Sequence, residues 1–134
     1  MDTLCVYAYN FSDLLAGFEF AISYPPAVIW VADIVTADVV QGTTPTGISI
    51  GYGMPVVTPF LMMRVLVMWN CDNCEPPFLD NPIIVIPHPI TSRLAAVRWL
   101  DGFWISAIGM TTMICSTLPA EETTWGKVKA LYIE

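Results

Sequence analysis

Charge is what this chain has least of. Charged residues make up 13% of its 134 positions, and only Arg64, Arg93, Arg98, Lys127 and Lys129 are basic. Twelve acids outnumber them and set a formal net charge of −7. With no basic cluster, nucleic acid and anionic membrane surfaces are not expected as partners. Histidine is almost missing too, since His88 stands alone. A zinc site normally draws on a second CxxC or a pair of histidines, and neither exists here. Nor is there an unbroken helical apolar run. The most apolar region, residues 48–69, contains Gly51, Gly53, Pro55, Pro59 and Arg64. A spanning helix needs about 20 consecutive apolar residues, so no membrane span is expected.

What the chain does have is apolar surface. Hydrophobic residues reach 55%, which argues against disorder, and the length suits one domain with a real core. Eleven prolines and eight glycines cut that content into short runs, the texture of an all-β domain. The surplus points to burial against a partner protein or another copy of the chain.

Residues 16–33 organise the rest: strand, Pro25-Pro26 corner, strand, with Phe18, Phe20 and Ile22 on one face and Val28, Trp30 and Ala32 following. Further strands are expected at 4–9, 47–52, 60–69, 83–86 and 111–116, with 34–40 a strand or link, and loops at 41–46, 53–59 and 71–81. Residues 60–69, apolar at nine of ten positions, read as a central strand covered on both sides. Asp101-Gly102, between 94–100 and 103–108, predicts a hairpin with a type I′ turn. A β-sandwich domain is thus expected over 1–118, followed by a linker and amphipathic tail over 119–134. In the tail a short helix over 123–132 would bring Trp125, Val128, Leu131 and Tyr132 to one face, a candidate interaction surface.

Several constellations invite a chemical reading. Gly47, Ser49 and Gly51 fit the G-x-S-x-G pattern of a nucleophile elbow, and His88 would be its base. The elbow needs a helix after the serine, and Tyr52-Gly53-Met54-Pro55 cannot start one, so a glycine-flanked strand is preferred and no enzyme is expected. His88, between Pro87 and Pro89, reads as an exposed loop histidine. Cys71 and Cys74 have CxxC spacing, but without a βαβ setting a redox role is disfavoured. A disulfide or buried thiols remain, and an even cysteine count suits an oxidising compartment. Asp72, Asn73, Glu75, Asp80 and Asn81 group oxygen ligands that would suit calcium, though in no EF-hand spacing; otherwise no cofactor is expected. Trp99 and Trp104 flank the Asp101-Gly102 turn and would form a sugar-stacking platform, against the alternative of packing in a core or interface.

Two stretches carry a family likeness. Gly17-Phe18-Glu19-Phe20-Ala21-Ile22-Ser23-Tyr24-Pro25-Pro26-Ala27-Val28 resembles the early strand pair of cohesin-like domains, where an alternating strand ends in Tyr-Asp-Pro. Ala107-Ile108-Gly109-Met110-Thr111-Thr112-Met113-Ile114-Cys115 is similar to their closing turn and last strand. Pro25 stands where that family has Asp. The resemblance implies an immunoglobulin-like or cohesin-like β-sandwich of jelly-roll type, used as a non-catalytic module for protein binding, adhesion or self-assembly. It also implies an extracellular or cell-surface setting. Met1-Asp2 leads directly into LCVYAY, so that setting would require a leader already removed. A carbohydrate-binding module is the alternative expectation.

Overall fold

The computed structural model describes residues 2–69, 83–107 and 110–114, of which 69 and 110–114 by their backbone. Among the described residues ten strands follow in order: β1 Asp2–Ala8, β2 Leu15–Ser23, β3 Val28–Ile34, β4 Val39–Thr43, β5 Gly47–Val56, β6 Phe60–Trp69, β7 Ile84–Ile86, β8 Ala95–Arg98, β9 Trp104–Ser106 and β10 Met110–Ile114. All pairings are antiparallel. They build a four-stranded sheet, β10-β1-β6-β3, and a six-stranded sheet, β4-β5-β2-β8-β9, with β7 and β8 end to end along one side of β2. Among the described residues there is no helix, and so none long and apolar enough to cross a membrane. The predicted tail helix lies outside the described residues.

The Pro25-Pro26 corner takes the chain from one sheet to the other, since β2 and β3 belong to different sheets. Proline cannot donate to a ladder, so two of them suit a crossing where pairing must stop. Between the sheets lies one core. Leu4, Val6, Met63, Val65 and Val67 of one layer meet Phe18, Phe20, Ile22, Ile48, Ile50 and Ala96 of the other. Alternate residues of paired strands supply it, as period-2 side-chain geometry requires. One end is aromatic: Phe18 contacts Phe11, Tyr52 and Phe60, and Tyr52 meets Phe60 edge-on at 5.1 Å.

The structure redraws four expectations. Residues 60–69 do form a strand between β1 and β3, but Arg64 and Met68 are exposed, so one face of β6 is open. The doubly covered strand is β2, buried continuously from Gly17 to Ile22. Residues 41–43 belong to β4, leaving only 44–46 as the turn. Residues 53–56 continue β5, and Pro55 fits there because 52–55 have no register partner on β2. The alternation of β3 also breaks, by a register shift between Trp30 and Ala32.

The 94–108 hairpin forms, with β8 against β9, but its turn is not type I′. Gly102 has φ +72°, whereas Asp101 keeps a negative φ. Five residues, 99–103, make the connection, closed by Gly102 N–H to Arg98 O at 2.8 Å and Arg98 N–H to Phe103 O at 2.9 Å. The Asp101 carboxylate accepts from Arg98 Nε at 2.9 Å and Phe103 N–H at 3.1 Å. Those bonds hold Asp101 in an ordinary conformation and leave the left-handed position to glycine.

Candidate functional site

The outer face of the six-stranded sheet carries a polar node that sequence spacing did not indicate. Glu19 points outward from β2 yet is only 6% exposed, because the 87–93 segment between β7 and β8 folds over it. Ser49 Oγ, on the register partner in β5, donates to Glu19 Oε1 at 2.7 Å. Thr91 Oγ1 donates to Oε2 at 2.8 Å, and Arg93 Nη1 lies 3.5 Å from the same oxygen. Burial pushes the Glu19 carboxyl up. The hydrogen bonds from Ser49 and Thr91, together with the nearby His88 ring and the hydrogen bond from Arg93, outweigh it and hold the group below the usual carboxylate range.

His88 is buried, not exposed as expected of a loop histidine. Its ring lies over Gly47, where an added Cβ would come within 2.5 Å of Nε2. Gly47 also has φ +114°, so both its conformation and its missing side chain are used. Nδ1 of His88 accepts from the N–H groups of Ile90 at 3.1 Å and Thr91 at 3.4 Å. The hydroxyl of Ser49 is directed to Glu19, and among the described residues no hydrogen bond joins Ser49 to His88. Ser49 also sits inside strand β5, which runs on to Val56 with no helix after it, so the elbow geometry is not formed.

A second node locks the Pro-Pro corner. The Asp33 carboxylate accepts from Trp30 Nε1 at 2.9 Å, Thr44 N–H at 2.8 Å and Thr44 Oγ1 at 2.7 Å. Thr44 is fully buried, and its Oγ1 is also 2.7 Å from Tyr24 OH. Because the single hydroxyl hydrogen of Thr44 goes to the carboxylate, Tyr24 must donate in that second bond. Burial, aided by Asp33, raises the Tyr24 phenol well above its ordinary value, so it remains a donor. The Thr44 carbonyl then accepts from Ile22 N–H at 2.8 Å. Four bonds to Thr44 thereby tie the β4–β5 turn to the corner and both its strands, and the Trp30 bond braces Asp33 within β3.

The two candidate stacking residues occupy different settings. Trp104 sits in β9 opposite Val97, 43% exposed, with the Arg93 guanidinium carbon 4.4 Å from its ring centroid. Trp99 lies in the hairpin connection, 41% exposed, its N–H donating to Leu14 O at 2.8 Å. Beyond it Leu100 is 87% and Phe103 65% exposed, and Leu14 beside Trp99 is also exposed. The hairpin tip is therefore an apolar knob whose one ion pair, Arg98 with Asp101, is internal to it.

Other sequence candidates lie elsewhere. Cys71, Cys74 and Cys115, the acidic 72–81 loop and the tail residues Trp125, Val128, Leu131 and Tyr132 fall outside the described residues. Cys5 is not a free thiol and packs with Tyr7 and Leu61. Among the described residues no three His, Cys, Asp or Glu side chains gather as a metal site. Of the residues sequence reasoning passed over, Glu19 left one signal, an acid between two phenylalanines of a buried strand. No family model, curated protein or solved structure matches this chain.

Proposed function

We propose that this chain is a non-catalytic β-sandwich module, immunoglobulin-like or cohesin-like in type, that acts outside the cell or on its surface in protein binding, adhesion or self-assembly. The observation that carries this reading is the hairpin tip, where Trp99, Leu100 and Phe103 are exposed on a hydrogen-bonded hairpin with exposed Leu14 bonded to it. Apolar side chains presented this way suit an interface core, where aromatic residues dominate the binding energy. The polar nodes support the same reading, because Ser49, Thr91 and Thr44 direct their hydroxyls to carboxylates of the chain itself.

Light scattering over a concentration series, on the parent chain and on Leu100→Asp/Phe103→Asp, tests the self-assembly version. Mass that rises with concentration in the parent and not in the variant is the expected result. A parent that stays monomeric throughout removes self-assembly. A carbohydrate-binding role is the second reading, favoured by the exposure of Trp99 and Trp104. A glycan array on which the parent chain binds nothing removes it.

A further inference from the structure

The node around Glu19 is more than a buried ion pair, because every group that holds it down comes from one segment or from the sheet beneath. From β5 the carboxylate faces Ser49, and from β8 its register partner is Ala95. From the 87–93 segment it faces His88, Thr91 and Arg93. Of all these, only His88 and Arg93 can bear charge. The segment is itself a closed turn: His88 N–H donates to Arg93 O at 2.8 Å, and Ser92 N–H to His88 O at 2.7 Å. Its side-chain anchors on the sheet are the His88 ring on Gly47 and the Thr91–Arg93 grip on Glu19. Arg93 serves twice, since the guanidinium that pairs with Glu19 also lies against Trp104.

We propose that residues 87–93 are an acid-released cover over the outer face of the six-stranded sheet, bolted to the Glu19 carboxylate by Thr91 and Arg93, and that its opening uncovers the Trp104 ring. Protonating Glu19 places a hydrogen on an oxygen that now only accepts, and it removes the counter-charge of Arg93. Arg93 is already nearly half exposed and then gains more from water than from the sheet. The sign follows from the lowered carboxyl: the bolt is fully set at neutral pH and is lost as pH falls below the ordinary carboxylate range, about 4. Next to Glu19 in the same sheet lies a row without side chains, Gly51 beside Gly17, in register with Val97 and, across from it, Trp104.

The test uses the full chain and amide hydrogen exchange by NMR between neutral and strongly acid pH, corrected for intrinsic rates. A soluble paramagnetic probe reads the Trp104 indole in parallel. The expected result is that the His88 and Ser92 amides lose protection by about tenfold or more in acid while Phe20 and Val65 keep theirs. Glu19→Gln should show the opened exchange pattern at neutral pH and no further acid step. Arg93→Ala keeps the carboxylate and should lower the protection of the His88 and Ser92 amides at neutral pH while Phe20 and Val65 keep theirs, which decides the matter if Glu19→Gln does not fold. Loss of the His88 and Ser92 amides only together with the core overturns the proposal. So does an acid step that persists unchanged in Glu19→Gln, or unchanged protection of the His88 and Ser92 amides in Arg93→Ala.

Discussion

Replacing Thr44 by valine removes one oxygen from the corner lock and keeps the side-chain shape. Its backbone N–H still serves Asp33 Oδ2, and Trp30 still serves Oδ1. Two things are lost. The carboxylate forfeits the 2.7 Å bond from Thr44 Oγ1, and the half-buried Tyr24 hydroxyl forfeits its acceptor. An orphaned buried hydroxyl costs about 1–3 kcal/mol, and a hydrogen bond to a charged group is worth about 1.5–3 kcal/mol. After the apolar gain of the methyl group, Thr44→Val should cost about 2–4 kcal/mol. Tyr24→Phe removes the donor from the other side and leaves the Thr44–Asp33 bond standing, so it should cost about 0.5–1.5 kcal/mol. In the double variant no orphan remains, and the total should fall short of the sum by about 1–2 kcal/mol. Urea unfolding followed by tryptophan fluorescence measures all four corners of the cycle, with Thr44→Val moving the midpoint down by about 1–2 M. A cycle additive within about 0.5 kcal/mol refutes the chained donor–acceptor order derived for Tyr24, Thr44 and Asp33.

Three further outcomes follow from the packing. Gly47→Ala meets both a left-handed φ and the His88 ring, and should destabilise by about 2–4 kcal/mol in the same urea assay. Phe18→Ala removes a fully buried ring contacted by Phe11, Tyr52 and Phe60, and should cost about 3–5 kcal/mol, read as a fall in thermal midpoint. Asp101→Asn breaks a solvent-exposed pair and should leave the melting curve unchanged, while the Phe103 amide, now facing a weaker acceptor, exchanges faster by NMR.

Much of the scaffold was legible because it rests on local pattern. The alternation in 16–33 yields β2 and β3, and the apolar run 60–69 coincides with β6. Turn chemistry was legible only in outline. Asp101-Gly102 marks the hairpin, but the choice of turn depends on Asp101 accepting from Arg98 and Phe103, which spacing alone does not reveal. The same limit explains Pro55, which reads as a breaker yet is tolerated in a bulged stretch without ladder partners. The polar nodes were out of reach for a different reason. Glu19 and Thr91 are separated by 72 residues, and Asp33 and Thr44 by 11, and no periodicity connects them. The burial of His88 is not legible either, because its flanking prolines describe its backbone and not the sheet face it packs against. The glycine that receives its ring, Gly47, was visible only as half of a nucleophile motif.

The pairing of β1 with β10 has a mechanical consequence. Leu4 faces Ile114 and Ala8 faces Met110, so residue 2 and residue 114 lie at the same end of that ladder. Tension applied between those two points loads the β1–β10 hydrogen bonds one after another, as a zipper opens, and not all at once in shear. Because β1 also pairs antiparallel with β6, with Asp2 opposite Val67, peeling would begin at the same end of that second ladder. Pulled through these two strands, the sandwich would yield at low force from that end of the ladder inward, and the Pro-Pro corner would be among the parts that the load reaches late.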